Sequence, residues 1–299
     1  MEKIKVNIDI FNSDEEIEKM YQEYLACSAA VKEIKRLGIP EDKVKLYIVK
    51  IYDFVDDINH CKKCPGVKNC KKNNPLLCTK LNYEHGVVDR ELVPCNKILE
   101  SVKIESKFIF KDYDEKFNNV VIADIDDAIK AKKDIIMSYY AYHQGKSDKW
   151  IFIKGEASVG KSMVAAALAN SFARDKEGEV GFINTAFRFR EMTDYAYNDK
   201  ELFEDMIDSM SNCPFLVIDG LGNEYKTDFV RDGILYRILS SRASKNLMTV
   251  ITSDFSIDDI VDLYDTSRAA GIRARQMGKI IKSRSTIFDL STSLKGLYQ

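Results

Sequence analysis

The sequence predicts an α/β fold in which helices cover a parallel sheet, preceded by a small and mostly helical domain. Three observations support this prediction. The chain has 299 residues, enough for two domains of roughly 150 residues each. Helical periodicity prevails before the cysteine-rich segment, and short apolar runs alternate with helical stretches after residue 112. Repeated βα units of this kind are typical of a parallel sheet with helices on its faces.

The composition is that of a globular chain. Hydrophobic residues make up 45% of it and charged residues 31%, which argues against wholesale disorder. The formal net charge of −2 excludes a uniformly basic nucleic-acid binder, but it does not exclude a local basic surface. The densest apolar run, Met163 to Ala169, is far shorter than the roughly 18 residues of a membrane span. The first residues lack the apolar core of a secretory signal, so we expect a cytoplasmic protein with no membrane partner.

Two helices are expected at the start of the first domain. Acidic residues follow the potential cap Ser13, and Gly38 ends the apolar pattern that begins there. One helix is therefore predicted from Ser13 to about Leu37, and a second from Glu41 to about Ile58.

The boundary between the domains is expected after a set of short strands. Stretches such as Lys97 to Phe110 predict strands, and the polar run from Asp112 to Lys116 is interpreted as a linker. We place the boundary near residue 112, within about ten residues either way. The predicted domains are therefore 1–111 and 112–299.

Four of the seven cysteines lie close together in the sequence, with the spacing C-x₂-C-x₅-C-x₇-C: Cys61, Cys64, Cys70 and Cys78. An odd number of cysteines in a reducing compartment argues against a disulfide framework. The C-x₂-C turn puts two thiolates on one side, and two later thiolates complete a tetrahedron around Zn²⁺. Six lysines and no acids lie between residues 60 and 80, and they would offset the charge of four thiolates.

We therefore predict a closed, structural zinc site that stabilises the small domain. His60 and Cys95 are possible substitute ligands. Unliganded thiols are the alternative. A redox C-x-x-C is disfavoured because no thioredoxin-like βαβ unit surrounds it.

Five buried strands are predicted in the second domain, at Trp150–Ile153, Val180–Asn184, Phe215–Ile218, Met248–Thr252 and Thr286–Leu290. The helical stretches lie at 126–142, from the loop after the first of these strands through Phe172, and at 187–210, 229–243, 257–264 and 268–281.

The loop after the first of these strands fits the pattern G-x-x-x-x-G-K-[ST] at every defined position: Gly155, Glu156, Ala157, Ser158, Val159, Gly160, Lys161 and Ser162. The glycines let successive backbone N–H groups face phosphates, and the following helix directs its positive end at them. Lys161 then reaches the β- and γ-phosphates, and the Ser162 hydroxyl can ligate Mg²⁺. Because a strand precedes the loop and a helix follows it, we predict that this P-loop binds a nucleotide.

A second acid is expected at the end of a neighbouring strand. Asp219 directly follows four apolar residues and is predicted to hold Mg²⁺, directly or through water. Many ATPases of this type carry another acid at the next position, where this chain has Gly220. The nearest acid downstream is Glu224. We expect weak hydrolysis, with use of Glu224 or no hydrolysis as the alternatives.

Two further features suit an ATPase that works as an assembly. Asp254 follows Thr252 and Ser253 at the end of the next strand, where it could sense the γ-phosphate or position water. The late helical region carries arginines that could reach a neighbouring subunit's nucleotide: Arg275 as the first choice, Arg273 as the second, and Arg268. A solvated helix face is the alternative for each of them.

The cysteine spacing, the P-loop, the Asp219–Glu224 segment, the strand end at Asp254 and the arginine-bearing helix together resemble a known family. It is the AAA+ ATPases of the DnaI/DnaC type, the bacterial replicative-helicase loaders, and the zinc-bearing DnaI branch is the more similar. The resemblance covers most of the chain.

The resemblance implies an AAA+ P-loop ATPase domain, preceded by a zinc-binding domain that contacts the hexameric replicative helicase. It also implies ATP, Mg²⁺ and Zn²⁺ as cofactors, single-stranded DNA as a partner and homo-oligomers when assembled. The chain departs from the family pattern at three positions. Cys78 stands where a His ligand is expected, Gly220 replaces the usual second acid, and Asp254 replaces the usual Asn sensor.

The family resemblance also suggests a DNA-contacting segment at the start of the helix after the second strand. Phe187, Arg188 and Arg190 lie there, and arginines contact phosphates while aromatic rings stack on bases. A core role for the phenylalanines is the alternative. Two other functions stay open for the whole chain: an adaptor that binds ATP without turnover, and a related ATPase that serves transposition.

Overall fold

The computed structural model describes residues 14–72, 74–127, 129 and 131–290. The predicted cap Ser13 lies outside these ranges. The chain divides into two compact units, Met1–Lys103 and Ile104–Gln299. The sequence placed this boundary near residue 112. The boundary in the structure comes earlier in the chain than predicted. The reason is that a strand at Phe108–Lys111 pairs with the sheet of the second unit and therefore belongs to that unit.

The first unit consists of helices and one antiparallel hairpin. Its elements are α1 (Asp14–Ala26), α2 (Ser28–Leu37), α3 (Glu41–Leu46), α4 (Ile48–Cys61), β1 (Leu77–Glu84), β2 (Val87–Pro94) and most of α5 (Asn96–Glu105). The region that was predicted to form two helices therefore forms four. The breaks fall at Cys27, whose φ of −92° and ψ of 89° lie outside the helical region, and at Tyr47.

The hairpin is an element that the sequence analysis missed. Its turn contains His85 and Gly86, both at positive φ (51° and 78°), as a two-residue hairpin turn requires. Leu81 and Val88 are buried and close the helical core. The expected strand over Lys97–Phe110 is wrong for most of its length, because α5 occupies residues 96–105.

The second unit is a six-stranded sheet covered by helices. Its strands are β3 (Phe108–Lys111), β4 (Trp150–Lys154), β5 (Val180–Asn184), β6 (Phe215–Asp219), β7 (Met248–Ser253) and β8 (Ser285–Asp289). Its helices are α6 (Lys132–His143), α7 (Lys161–Asp175), α8 (Thr185–Asn198), α9 (Lys200–Asn212), α10 (Tyr236–Ser244), α11 (Ile257–Tyr264) and α12 (Arg268–Arg284), with a π-helix at Val230–Leu235.

All strand pairs of this sheet are parallel, in the order β3-β5-β6-β7-β4-β8. The predicted parallel sheet is therefore confirmed. The five predicted strands are all present, and β3 is an additional edge strand. The predicted long helix over Phe187–Met210 is instead two helices, because Asp199 ends α8 and its side chain caps α9 by accepting from the Leu202 N–H.

The carboxyl ends of the parallel strands meet at one edge of the sheet, so the loops that follow β4, β6 and β7 meet there. Apolar cores lie on both faces of the sheet, one including Trp150 and Ile218 and the other including Val217 and Phe215. This rigid framework fixes the positions of the polar residues at the strand ends. Within the described ranges, no helix combines the length and the apolar character needed to cross a membrane.

Candidate functional site

The P-loop connects β4 to α7 at the carboxyl edge of the sheet. Gly160 has a φ of 93° and directly precedes the first residue of α7, and Ser158 also has a positive φ, of 66°. This backbone leaves the first N–H groups of α7 without partners inside the helix. A helix start of this kind attracts phosphate through its N–H groups and its dipole.

Lys161 is folded back onto the loop that precedes it. Its Nζ atom lies 2.9 Å from the carbonyl oxygen of Gly155 and 2.7 Å from that of Glu156. A third contact, of 2.7 Å, joins Nζ to Oδ1 of Asp254. The lysine is 7% exposed, so its charge is held inside the site by these three acceptors.

The carboxylate of Asp219 accepts hydrogen bonds from two hydroxyl groups. Ser162 Oγ lies 3.1 Å from Oδ2, and Thr252 Oγ1 lies 2.7 Å from Oδ1. Burial raises the pKa of the Asp219 carboxyl, and these two hydrogen bonds act against the rise. The convergence of a hydroxyl and a carboxylate next to the P-loop supplies the hard oxygen ligands that Mg²⁺ takes. Ser162 and Asp219 therefore fit a magnesium site.

The strand that carries Asp219 does not neighbour the P-loop strand as expected. β7 lies between β6 and β4, and Thr252 near its end bridges the gap. The Thr252 hydroxyl accepts from the Gly220 N–H at 2.9 Å while it donates to Asp219. This role of Thr252 was not predicted from the sequence. The signal in the sequence was the pair of polar residues, Thr252 and Ser253, that ends this strand.

Glu224 is not placed to activate water. It is 2% exposed, Oε2 accepts from the Gly222 N–H at 2.8 Å, and Oε1 accepts from the Tyr264 hydroxyl at 2.7 Å. Gly220, at a φ of 75°, supplies no side chain. The alternative in which Glu224 replaces the missing acid is therefore wrong for this geometry, because both of its oxygens are engaged inside the protein.

Asp254 stands at the end of β7, as predicted, and links the P-loop to the loop after β6. While Oδ1 contacts Lys161, Oδ2 accepts from Nδ2 of Asn223 at 3.1 Å. Partial burial by itself raises the pKa of the Asp254 carboxyl, but the bonds from Lys161 and Asn223 outweigh it and lower that pKa. Asn223 is a site residue that the sequence analysis missed, because nothing in the sequence shows which way the loop turns.

The three candidate arginines of α12, Arg268, Arg273 and Arg275, are exposed. Arg275 pairs with Asp265 at 3.1 Å, and the guanidinium of Arg273 lies 5.3 Å from the ring centroid of Tyr236. Arg268 is the first residue of the helix. Both described partners belong to the same chain, and a contact across subunits stays a prediction for all three.

Arg188 has a structural role that the sequence analysis did not foresee. Its guanidinium forms a forked contact with Asp112 and also pairs with Glu191. Two carboxylates already hold this cation, and its contact with DNA phosphates stays a prediction. Phe187 is 59% exposed, and Arg190 is also exposed.

Tyr225 was missed by the sequence analysis and lies near the exposed part of α8. It is 85% exposed, and it lines a cavity of about 270 Å³ together with Arg190 and Thr193. Phe189, between the two arginines, is buried in the core, which was the alternative for this segment. At the start of α8 and beside it, the exposed side chains that could meet a nucleic acid are therefore Phe187, Arg190 and Tyr225.

The predicted zinc ligands are only partly brought together. Burial raises the pKa of the Cys61 thiol, and the Cys78 thiol, within hydrogen-bonding distance, adds to the rise. Lys72 donates to the Cys78 sulfur at 3.3 Å and lies 2.9 Å from an oxygen of Asp57.

The other candidates do not complete a tetrahedron. Cys64 is exposed and Cys70 is half-buried, and His60 contacts Asp56. Over residues 14–72, 74–127, 129 and 131–290, no group of three or more His, Cys, Asp or Glu side chains is placed to hold a metal ion. The cysteines as arranged here do not fit a tetrahedral zinc site, and zinc stays a prediction.

No protein-family model matches the chain. The replicative helicase loader DnaI of Bacillus subtilis (strain 168) is 25% identical over an alignment of 232 residues, with coverages of 74% of this chain and 73% of that protein. The chain resembles the DnaI-type helicase loaders. This similarity confirms the resemblance predicted from the motifs.

Solved structures agree with the DnaI resemblance at the level of the fold. A crystal structure of DnaI has a TM-score of 0.53 at 24% identity and covers 62% of this chain and 98% of its own. A primosome component from Streptococcus pyogenes serotype M3 has a TM-score of 0.51 at 18% identity, with coverages of 64% and 96%. The DnaI-type resemblance supports nucleotide binding at the level of the family.

Proposed function

We propose that the chain is an ATP-dependent loader of the replicative DNA helicase that acts in primosome assembly. One observation carries the proposal. Lys161, Ser162 and Asp219 converge at the sheet edge in a chain that is 25% identical over 232 residues to a DnaI loader. The same similarity favours helicase loading over a role in transposition.

Each nucleotide contact has a residue to provide it. The N–H groups of Gly160 to Ser162 and the Lys161 ammonium bind the phosphates, since the N–H groups at a helix start have no partners inside the helix and the ammonium is positively charged. Ser162 and Asp219 hold Mg²⁺, which supplies charge neutralisation of the phosphates when it is bound. Thr252 orients the Asp219 carboxylate through its hydrogen bond of 2.7 Å.

Turnover is expected to be weak because no acid follows Asp219 and Glu224 is engaged elsewhere. A phosphate-release assay on the full chain, with Lys161→Ala as the inactive reference, measures it. Low but lysine-dependent release supports a slow ATPase. Equal release from both proteins, with ATP binding retained by the wild type, identifies the adaptor that binds ATP without turnover.

Contact with the helicase is assigned to the first unit, because the family resemblance predicts it for the domain before the ATPase core. The test is co-elution of the purified chain with a hexameric replicative helicase. Deleting residues 1–103 should abolish the complex. Lys161→Ala leaves the first unit unchanged, so this variant should still bind the helicase. Full binding by the truncated protein would refute this assignment.

Single-stranded DNA is assigned to the exposed side chains Phe187, Arg190 and Tyr225. Aromatic rings stack on bases and an arginine binds phosphate, a combination suited to unpaired strands. Fluorescence anisotropy with an oligonucleotide tests this assignment. Arg190→Ala and Tyr225→Ala should weaken binding, whereas the cation of Arg188 is already paired with Asp112 and Glu191.

Zinc is proposed on the cysteine spacing, with support from the adjacent thiols of Cys61 and Cys78. Closing the site would require Cys64 and Cys70 to approach this pair. The direct test is the metal content of purified full-length protein. One equivalent of zinc that is lost in Cys64→Ser supports the proposal, and a metal-free, folded wild type refutes it.

A further inference from the structure

The Lys161 ammonium has no donor left for a phosphate. An ammonium group has three N–H donors, and Nζ of Lys161 has three acceptors, at 2.9, 2.7 and 2.7 Å. A phosphate oxygen can therefore reach this lysine only if one of these contacts is broken or shared.

Asp254 is the acceptor best able to give way. The other two acceptors are carbonyl oxygens of the P-loop itself, at Gly155 and Glu156, and they move only if the loop changes conformation. The Asp254 side chain is 32% exposed, and it is the only one of the three acceptors that carries a formal charge. Its second oxygen is held by the amide of Asn223.

The carboxylate also lies close to where phosphate charge must be placed. Two oxygens bonded to the same nitrogen at about 2.8 Å each are no more than about 5.6 Å apart. At such a distance, in a partly buried site, two like charges repel far more strongly than in bulk water. The repulsion grows with the number of negative phosphates that face Lys161.

We propose that Asp254 is a specificity-determining residue that competes with the terminal phosphate for Lys161 and thereby disfavours nucleoside triphosphate relative to diphosphate. A neutral residue at this position would leave one donor of Lys161 free and remove the repulsion. The inference rests on the proposed nucleotide-binding function, and it adds a selectivity that the P-loop motif alone does not contain.

The test uses full-length Asp254→Asn and Asp254→Ala, with Kd values for MgATP and MgADP measured by calorimetry. Both variants should bind ATP more tightly than the wild type, by about tenfold, a change within the usual range of coupling between sites. ADP should gain less, so the ratio of the two Kd values shifts towards ATP. Asp262→Asn, which removes an exposed charge from α11, is the matched control and should leave both Kd values unchanged.

The two variants separate charge removal from a new hydrogen bond. If only Asp254→Asn binds ATP more tightly, the gain comes from the new amide donor and the proposal is overturned. Unchanged or weaker ATP binding in both variants also overturns it, provided that their unfolding transitions match the wild type. A wild type that binds neither nucleotide would instead refute the proposed nucleotide function, which keeps the two failures distinct.

Discussion

Residues at the sheet edge divide into those that face the nucleotide site and those that hold the backbone around it. Glu224 and Tyr264 belong to the second group, because the carboxyl group and the hydroxyl group are both buried and bond to each other at 2.7 Å. Their contact ties the loop after β6 to the end of α11. A buried carboxyl group that loses a donor is costly, since water cannot replace it.

We expect Tyr264→Phe to lower the free energy of unfolding by about 1–3 kcal/mol, because it leaves one oxygen of Glu224 without its donor. Urea titration followed by the fluorescence of Trp150, the chain's one tryptophan, measures the change. Tyr225→Phe is the matched control, because that side chain is 85% exposed, and it should leave the unfolding midpoint unchanged. Equal effects of the two substitutions would show that the Glu224 contact contributes nothing to stability.

Aromatic contacts pack α6 against α7 and against β6 of the sheet, and they surround a titratable side chain. His143 lies at its end among aromatic rings, with ring centroids 4.4 Å from Tyr139 and 5.4 Å from Phe172. Its Nε2 atom is buried and has no hydrogen-bond partner in the described part of the chain. Burial, assisted by Lys176, lowers the pKa of His143 to about 4 from an ordinary value of 6.5.

This shift predicts a pH-dependent loss of stability. Between pH 6.5 and 4 the unfolded chain binds a proton that the folded chain does not, so the contribution of His143 is complete above pH 6.5 and declines towards pH 4. In His143→Phe this contribution is absent. The wild type should therefore lose stability relative to His143→Phe as the pH falls through that window, so the difference in unfolding free energy between the two should grow.

Urea titrations at several pH values, again followed by Trp150 fluorescence, test the expectation for α6. Tyr140→Phe, a half-exposed position on the same helix, is the control and should follow the wild type at every pH. A constant difference between His143→Phe and the wild type would mean that His143 is not the group responsible.

For the whole molecule, the division into two units has a consequence for any fragment. Cutting at the predicted boundary of residue 112 removes β3, whose strand pairs in parallel with β5. It also makes Asp112, which accepts a hydrogen bond from Arg188, the first residue of the fragment. An uncovered β5 edge presents unpaired N–H and C=O groups that promote association.

We expect fragment 104–299 to be monomeric and to retain nucleotide binding, whereas fragment 112–299 should be less stable and more prone to aggregate. Size-exclusion chromatography and thermal unfolding of the two fragments, side by side, measure the difference. Identical behaviour of both fragments would show that β3 is dispensable and that the boundary could lie at either position.

The sequence by itself determined the P-loop, the buried strands and the acid at Asp219. Each of them is a local pattern in which the spacing of the residues is itself the chemical requirement. The same local patterns could not show that Cys27 and Asp199 interrupt helices, since apolar periodicity continues across both positions. They also could not show the hairpin at residues 77–94, where only part of one face is buried.

Contacts between distant residues were decided by the tertiary structure alone. Strand order places Thr252 between the P-loop and Asp219, and the path of one loop buries Glu224 and brings Asn223 to Asp254. Arg188 meets Asp112 across 76 positions of sequence. The sequence determines which groups are available for chemistry, because residue type and local spacing are written in it. Only the fold decides which of them meet, because that depends on how β-strands are ordered and where each loop runs.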